Sequence, residues 1–389
     1  MGVMELSTDQ KKALDTLMGW SKKMGENQFL TLGGYAGTGK TTLISVYRKK
    51  IREENKKIRV AFASFTGKAT RVLRGKLAEM ETVYKEDSIG TIHSLIYSPI
   101  VDTKKNIVGW KKKDEIEADL IVIDEGSMVD GTIWGDLVSY GLPIVVVGDH
   151  GQLPPIRGDF NLMERPMVKL EKIHRQAEKN PIIKVSMLAR EEGKIPFEKF
   201  GNGVEKMNKR EMDCQERVEE LLGNFTTDLL VLCGYNNTRV KLNKFIREGM
   251  QFESAEPTVN DRVICLRNNH KVGIYNGMLG IIEGLKSKDD QWFKAEIKMD
   301  GEQDSYEGLI LKSQFNSQEA MNFSKNRYLT IKGDLFDFGY ALTVHKAQGS
   351  QAKRVVLFEE RFSQMDENMW RRWLYTAVTR AEEELFIVG

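Results

Sequence analysis

Short apolar runs alternate along this chain with stretches in which apolar residues recur every three or four positions. Residues 29–32, 59–64, 120–125, 143–149, 229–233, 355–358 and 385–388 are mostly apolar on successive positions. Such brief, unalternating runs predict strands buried on both faces. Between them lie helical spacings: Ala13, Leu14, Leu17 and Met18; Leu43, Ile44, Val46, Tyr47 and Ile51; Val72, Leu73 and Leu77; Val240, Leu242, Phe245 and Ile246; Trp370, Trp373, Leu374, Ala377 and Val378. Each set makes one apolar helix face. Strands alternating with helices predict an α/β chain of doubly wound parallel sheets.

The texture breaks twice. At 98–113, Pro99, Asp102, Asn106 and Gly109 interrupt two short extended runs, which predicts a small polar hairpin. Between Asp261 and Asp334 short strands such as Phe293 to Met299 alternate with Asn-Gly, Asp-Asp and Asp-Gly turns, which predicts a small β-barrel inserted in the second half. The expected boundaries are a first core at 1–97 and 114–178, a hairpin at 98–113, a second core at 179–258 and 336–389, and an insertion at 259–335. Residues 340–350 are expected to switch from strand to helix.

Composition narrows the picture. A chain of 389 residues has room for two or three domains, and 41% hydrophobic with 29% charged residues is ordinary for a globular protein. The net charge is only +2, so a nucleic-acid site has to come from local arrangement. Lys111-Lys112-Lys113 and similar clusters read first as solvated faces. Cys214, Cys233 and Cys265 are scattered, which fits a reducing cytoplasm and offers no disulfide framework or paired metal ligands. No stretch approaches the roughly 18 apolar residues of a membrane span, and residues 1–10 lack the apolar core of a signal peptide. We expect a cytoplasmic protein without a membrane partner.

The chemistry concentrates where strands end. Gly33-Gly34-Tyr35-Ala36-Gly37-Thr38-Gly39-Lys40-Thr41-Thr42 follows a predicted strand and opens a predicted helix. That context makes G-x-x-x-x-G-K-T a phosphate-binding loop. Gly34, Gly37 and Gly39 let backbone N–H groups face a phosphate, and the helix N-terminus adds favourable partial charge. Lys40 reaches the β- and γ-phosphates, and the Thr41 hydroxyl ligates Mg²⁺. The run at 120–125 ends in Asp124 and Glu125. A carboxylate there holds Mg²⁺, and its neighbour deprotonates an attacking water. The run at 143–149 leads into Gln152, a neutral donor and acceptor suited to sensing a γ-phosphate. Arg175 lies far along the chain and could return as a charge-stabilising guanidinium. Thr66 and Lys68 start a helix after a strand. Ser7 and Gln10 have capping-box spacing; Gln10 is equally suited to reading an adenine edge.

The set and order of these stretches resemble superfamily 1 helicases, in particular the 5′→3′ branch of RecD-type and phage Dda-type enzymes. The likeness covers residues 6–388 and rests on Gln10, G-G-Y-A-G-T-G-K-T-T, F-T-G-K-A-T, T-I-H-S-L, D-E-G-S-M, G-D-H-G-Q-L-P-P, H-R-Q, T-V-H-K-A-Q-G-S and Y-T-A-V-T-R. It implies two RecA-like domains that clamp ATP and Mg²⁺. Gln10 would contact adenine, and Gly34, Ala36, Gly37, Thr38, Gly39, Lys40, Thr41 and Thr42 would cradle the phosphates. Thr41 and Asp124 would hold the metal, Glu125 would be the base, and Arg175 and Arg380 would be arginine fingers. Thr66, Lys68, Thr91 and His93 in the first core, with Thr343, His345 and Lys346 in the second, would grip single-stranded DNA.

The hairpin matches the family's strand-separating pin, with Ile107, Val108 and Trp110 its only apolar residues near the tip. The insertion, which opens with Arg267-Asn268-Asn269 and Tyr275-Asn276-Gly277, is similar to its SH3-like barrel. Gln351 stands where many relatives carry an acid. The implied function is ATP-dependent unwinding of forked duplex DNA by a monomer in a bacterial or phage-infected cytoplasm. A single-strand translocase that displaces proteins, or an RNA-directed enzyme, is the alternative. A single-strand-binding protein, or replication or recombination proteins, are the implied partners.

Overall fold

The computed structural model describes residues 6–23, 26–101, 107–155, 160–172, 180–269, 272–300, 302, 304–319 and 332–389. Contacts divide the chain into a first unit, Met1–Ser98 with Lys111–Arg190, and a second, Pro99–Trp110 with Glu191–Gly389. The elements begin with α1 (Thr8–Ser21), β1 (Phe29–Gly34), α2 (Lys40–Glu54), β2 (Val60–Ser64), α3 (Gly67–Glu79), β3 (Ser88–Thr91) and α4 (Ile92–Ile96). A two-stranded hairpin of β4 (Tyr97–Val101) and β5 (Ile107–Lys112) comes next; its expected tip at 102–106 lies outside the described residues. Then follow β6 (Leu120–Asp124), α5 (Gly131–Val138), β7 (Ile144–Gly148) and β8 (Val168–Leu170).

The apolar runs form the middle of one parallel sheet in the order β3-β2-β6-β7-β1-β8. Every residue of β2, β6 and β7 except Asp124 is buried. Successive side chains leave a strand on opposite faces, and the two faces find different partners. Val60, Phe62, Leu120, Val122, Val145 and Val147 pack with Leu14 and Leu17 of α1, Leu43 and Tyr47 of α2 and Leu73 and Leu77 of α3. Ala61, Ala63, Ile121, Ile123, Ile144 and Val146 pack with Ile92 and Ile96 of α4 and Leu137 of α5. Truncating one of these leucines or isoleucines to alanine costs about 2–5 kcal/mol. The register levels the strand ends, because Ser64 pairs with both Thr91 and Asp124.

The first unit closes with α6 (Pro181–Glu191), whose last residue opens the next stretch of the second unit; there follow β9 (Lys199–Gly201), β10 (Val204–Met207), α7 (Met212–Gly223), β11 (Leu229–Cys233) and α8 (Asn236–Gly249). An antiparallel set follows: β12 (Arg262–Cys265), β13 (Leu279–Ser287), β14 (Trp292–Met299), β15 (Tyr306–Leu311) and β16 (Phe336–Phe338). The chain ends with β17 (Ala341–Thr343), β18 (Ala352–Phe358), α9 (Glu367–Val378) and β19 (Ala381–Val388). The second α/β sheet runs β17-β11-β18-β19-β10-β9 and is parallel except for β9 against β10.

The antiparallel sheet runs β15-β14-β13-β12-β16, and a bridge from Ile310 to Asp334 draws its two edges together. Buried ion pairs knit it to the α/β core of the same unit. Arg247 of α8 meets Asp261 at 2.8 and 2.9 Å, where Tyr340 also donates to the carboxylate. Arg239 meets Asp337 at 2.7 Å. The expected helix after Thr343 is absent. Residues 344–349 make successive turns instead, closed by Lys346 and Ala347 N–H on the Thr343 carbonyl and ended by Gly349 at φ 73°. A left-handed residue that soon after the strand stops a helix from propagating.

Candidate functional site

Gly39, at φ 75°, caps α2 and turns the chain so that Lys40 opens the helix. Gly37 has φ 78°; only glycine holds such a backbone without penalty. A Cβ on Gly34 would sit 2.7 Å from the Thr38 hydroxyl and 3.1 Å from the Lys40 stem, so the loop curls tightly. Thr38 is buried, and its hydroxyl donates to the Tyr35 carbonyl at 2.8 Å. Lys40 Nζ donates to Gly34 O at 2.7 Å and to Tyr35 O at 3.1 Å. Ala36, Thr41 and Thr42 complete the loop and the first turn of α2. Gln10 is fully buried. Its Oε1 accepts the Ser7 N–H at 3.0 Å, completing the capping box, while its Nε2 donates to Thr38 O at 3.0 Å. The cap therefore also fastens α1 to the phosphate loop.

Asp124 ends β6 and Glu125 follows it, on the same sheet edge as this loop. Asp124 accepts the Glu125 N–H at 3.0 Å. Burial pushes the Asp124 carboxyl up, while Lys40 pulls it down. A cation beside Asp124 would favour its ionised form, and Asp124 with the Thr41 hydroxyl offers oxygen donors only; among the described residues no cluster of three His, Cys, Asp or Glu side chains is present. That donor set fits Mg²⁺, which arrives with phosphates and takes one or two protein ligands. Glu125 has φ 57°, a left-handed backbone that glutamate rarely adopts.

The end of β7 adds Asp149, 4.0 Å from Lys40 Nζ. The Asp149 carboxylate accepts the Gly151 N–H at 2.9 Å, and Gln152 is buried beside it with its N–H on the Asp149 carbonyl. Sequence reading passed over Asp149, although it stands at a strand end just as Asp124 does. It also passed over Tyr35, whose ring lies 4.1 Å from that of His150 and 3.6 Å from the guanidinium carbon of Arg190. Burial pushes the His150 imidazole down, disfavouring its charged form.

The nucleic-acid candidates follow strand ends too. Thr66 caps α3 by accepting the Ala69 N–H, and Thr91 caps α4 by accepting the Ser94 N–H, each at 3.1 Å. Lys68 lies in the first turn of α3, with its side chain outside the described residues. His93 packs 4.5 Å from the Tyr97 ring. In the second unit Thr343 is level with Cys233 across β17 and β11. His345 is half-buried and its imidazole is pushed down by burial. Lys346 donates to Asn276 at 2.8 Å. Arg380 is buried in that unit; it donates to Thr376 O at 3.0 Å, Ser350 O at 3.3 Å and the Thr379 hydroxyl at 3.2 Å. Arg175 lies outside the described residues.

A family model described as an AAA domain matches residues 5–212, and a UvrD-like helicase C-terminal domain matches residues 338–388. The chain belongs to the superfamily 1 helicases. It is similar to the ATP-dependent RecD2 DNA helicase of Deinococcus radiodurans, with 27% identity over 99% of this chain and 49% of the relative. An uncharacterized protein of Methanocaldococcus jannaschii is 26% identical over 98% of this chain and 38% of its own length. The chain thus spans about half or less of these two curated relatives. The ATP-dependent DNA helicase Pif1 of Campylobacter jejuni is 24% identical over 92% of this chain and 87% of that protein. Among solved structures, Bacteroides Pif1 bound to ssDNA superposes with a TM-score of 0.52 at 18% identity, covering 100% of this chain and 93% of that one. This last likeness shows that the two share a fold.

Proposed function

We propose that this superfamily 1 chain is an ATP-dependent DNA helicase that moves 5′→3′ on single-stranded DNA and opens forked duplexes. One observation carries the reading: the phosphate loop, Asp124 with Glu125, Asp149 with Gln152, and the Thr66 and Thr91 turns all lie on the C-terminal edge of one parallel sheet. Open α/β sheets bind ligands along that edge, so a nucleotide and a strand held there share one rigid support.

Lys40 exchanges the Gly34 and Tyr35 carbonyls for phosphate oxygens. Thr41 and Asp124 would hold Mg²⁺, which neutralises charge on the phosphoryl oxygens. Glu125 takes the proton of the attacking water, and Gln152 orients that water. Arg175 and Arg380 are the guanidiniums that would offset charge in the transition state; Arg380 has to leave its Thr376 and Ser350 carbonyls to do so. Two RecA-like cores, a pin at 98–113 and an SH3-like insertion at 259–335 complete the motor. Thr66, Lys68, Thr91, His93, Thr343, His345 and Lys346 hold the strand chiefly by its phosphates, which makes stepping independent of sequence.

A tailed-duplex assay tests the proposal. Unwinding of a 5′-tailed fork, absent on a 3′-tailed one and abolished by E125Q, is the expected result. ATP hydrolysis without unwinding on either tail would replace the helicase by a protein-displacing translocase. Stronger stimulation by RNA than by DNA would replace the track.

A further inference from the structure

The geometry points to Arg190 as a positioning residue that couples the phosphate loop to the junction between the two units. The inference rests on reading residues 34–42 as a nucleotide phosphate loop. Arg190 is the last residue of the first unit, in the final turn of α6. Its guanidinium carbon lies 3.6 Å over the Tyr35 ring. That distance is the geometry of a cation–π contact. Tyr35 is the loop residue whose carbonyl takes the Lys40 ammonium and the Thr38 hydroxyl. Its ring also meets His150, next to Asp149 and two positions before Gln152.

Three residues beyond Arg190 the chain is anchored again, now within the second unit. The Gly193 carbonyl accepts the Trp370 indole N–H at 2.7 Å. Gly193 has φ 66°, and a Cβ there would stand 3.1 Å from Arg371 and 3.4 Å from Trp370. Trp370 and Arg371 belong to α9, whose Thr376 carbonyl holds Arg380. The run 190–193 is therefore pinned at one end to the phosphate loop and at the other to the helix that leads into Arg380. When Lys40 leaves the Tyr35 carbonyl for a phosphate, that carbonyl loses its ammonium donor, keeps the Thr38 hydroxyl, and Tyr35 shifts. Arg190 passes that shift into a junction only three residues long. The coupling is reciprocal: whatever moves α9 and Gly193 also biases the grip of the loop on its phosphates.

Amide hydrogen exchange on the full chain tests the inference, with ADP and aluminium fluoride as the probe and no DNA present. Nucleotide is expected to change exchange in peptides covering 190–195 in the wild-type protein, in R190K and in Y35F. The response should fall by about 2- to 30-fold in R190Q and in Y35L, the range a single cation–π contact supports. The double variant R190Q/Y35L should do no worse than the poorer single variant. A structural role alone would not produce rescue by both conservative changes. A wild-type junction that ignores nucleotide, an unchanged response in R190Q, or additive losses in the double variant would each overturn the proposal. Steady-state kinetics add a second readout: R190Q should lower DNA-stimulated kcat more than it alters KM for ATP. If DNA does not stimulate the wild-type ATPase while the exchange response follows Arg190, the motor reading falls and Arg190 keeps its role; the opposite pattern removes Arg190 alone.

Discussion

Glu125 carries a backbone conformation that its side chain disfavours, and a pair of substitutions measures the cost. At φ 57° the residue is left-handed, directly after the last residue of β6. That region costs an L-residue roughly 1–2 kcal/mol, and glycine escapes the cost. Glycine in an ordinary element is instead less stable than alanine by about 0.5–1 kcal/mol, because it loses more backbone freedom on folding. The two effects oppose at position 125, and strain is the larger. E125G should therefore be more stable than E125A by about 0.5–1 kcal/mol, the reverse of the usual order. Both variants lack the same carboxylate and its contacts, so their difference isolates the backbone.

For a domain the size of the first unit, about 1 kcal/mol moves Tm by about 2–4 °C. Calorimetry of the ligand-free full chain is the assay, and the relevant transition is the one that ADP raises. E125G should melt about 1–4 °C above E125A. E125A melting at or above E125G would refute the claim that strain is stored there. Both variants should also lose hydrolysis by at least about 10²-fold, which would locate the strain where the carboxylate is used.

Thr91→Ala should destabilise the DNA-free protein by about 1 kcal/mol, because the Ser94 N–H loses its cap; Thr91→Ser should restore the urea midpoint, and an unchanged midpoint in the alanine variant would remove the cap argument. Arg247→Met leaves the buried Asp261 carboxylate without its guanidinium and should cost about 3–5 kcal/mol of second-unit stability; a loss under about 1 kcal/mol in urea unfolding would show that the pair is not a tie. Asp334 is buried, accepts from Asn269 and Tyr306, and is pushed above the ordinary aspartate value of 3.8 by that burial. The folded state then holds its proton more tightly than the unfolded chain, so this acid costs stability as pH rises from 3.8 through its raised value. Asp334→Asn should gain on the wild-type protein across that window and show no pH-dependent gain below it, as read from urea midpoints between about pH 3.5 and 7.

The strands that carry chemistry were legible because burial on both faces leaves a continuous apolar run, as in Leu120 to Ile123. The edge strands were not. In β3, Ile89 is the one large apolar residue, and β8 is a three-residue strand with Lys169 at its centre. Residues 340–350 read as a strand passing into a helix; Gly349 and the backbone bonds to Thr343 make the part at 344–349 a run of turns instead. Gln10 posed two alternatives in sequence, and the structure has its amide bonded at both ends. Thr66 and Thr91 stood out as binding residues, while their role as helix caps needed the fold. Asp149 and Arg190 went unread for a different reason. Their partners, Lys40 and Tyr35, lie more than a hundred residues away, and no local pattern announces a contact made across a sheet edge.

The same contacts explain how the loop stays folded without a ligand. An ammonium left unpaired near a sheet edge would lose hydrogen bonds worth about 1.5–3 kcal/mol each, because the donor is charged. Lys40 instead spends its ammonium on the Gly34 and Tyr35 carbonyls, close to the Asp149 carboxylate. A phosphate that takes Lys40 must return more than those two bonds give. It does so because a phosphate oxygen carries a charge opposite to the ammonium, which a carbonyl oxygen does not, and because the helix N-terminus adds its own attraction. The exchange frees the Tyr35 carbonyl in the same event that satisfies the phosphate. The Gly34 and Tyr35 carbonyls are therefore the protein groups whose bonding changes as Lys40 turns to the phosphate, and of the two residues Tyr35 carries an arginine on its ring, placed to take that change out of the site.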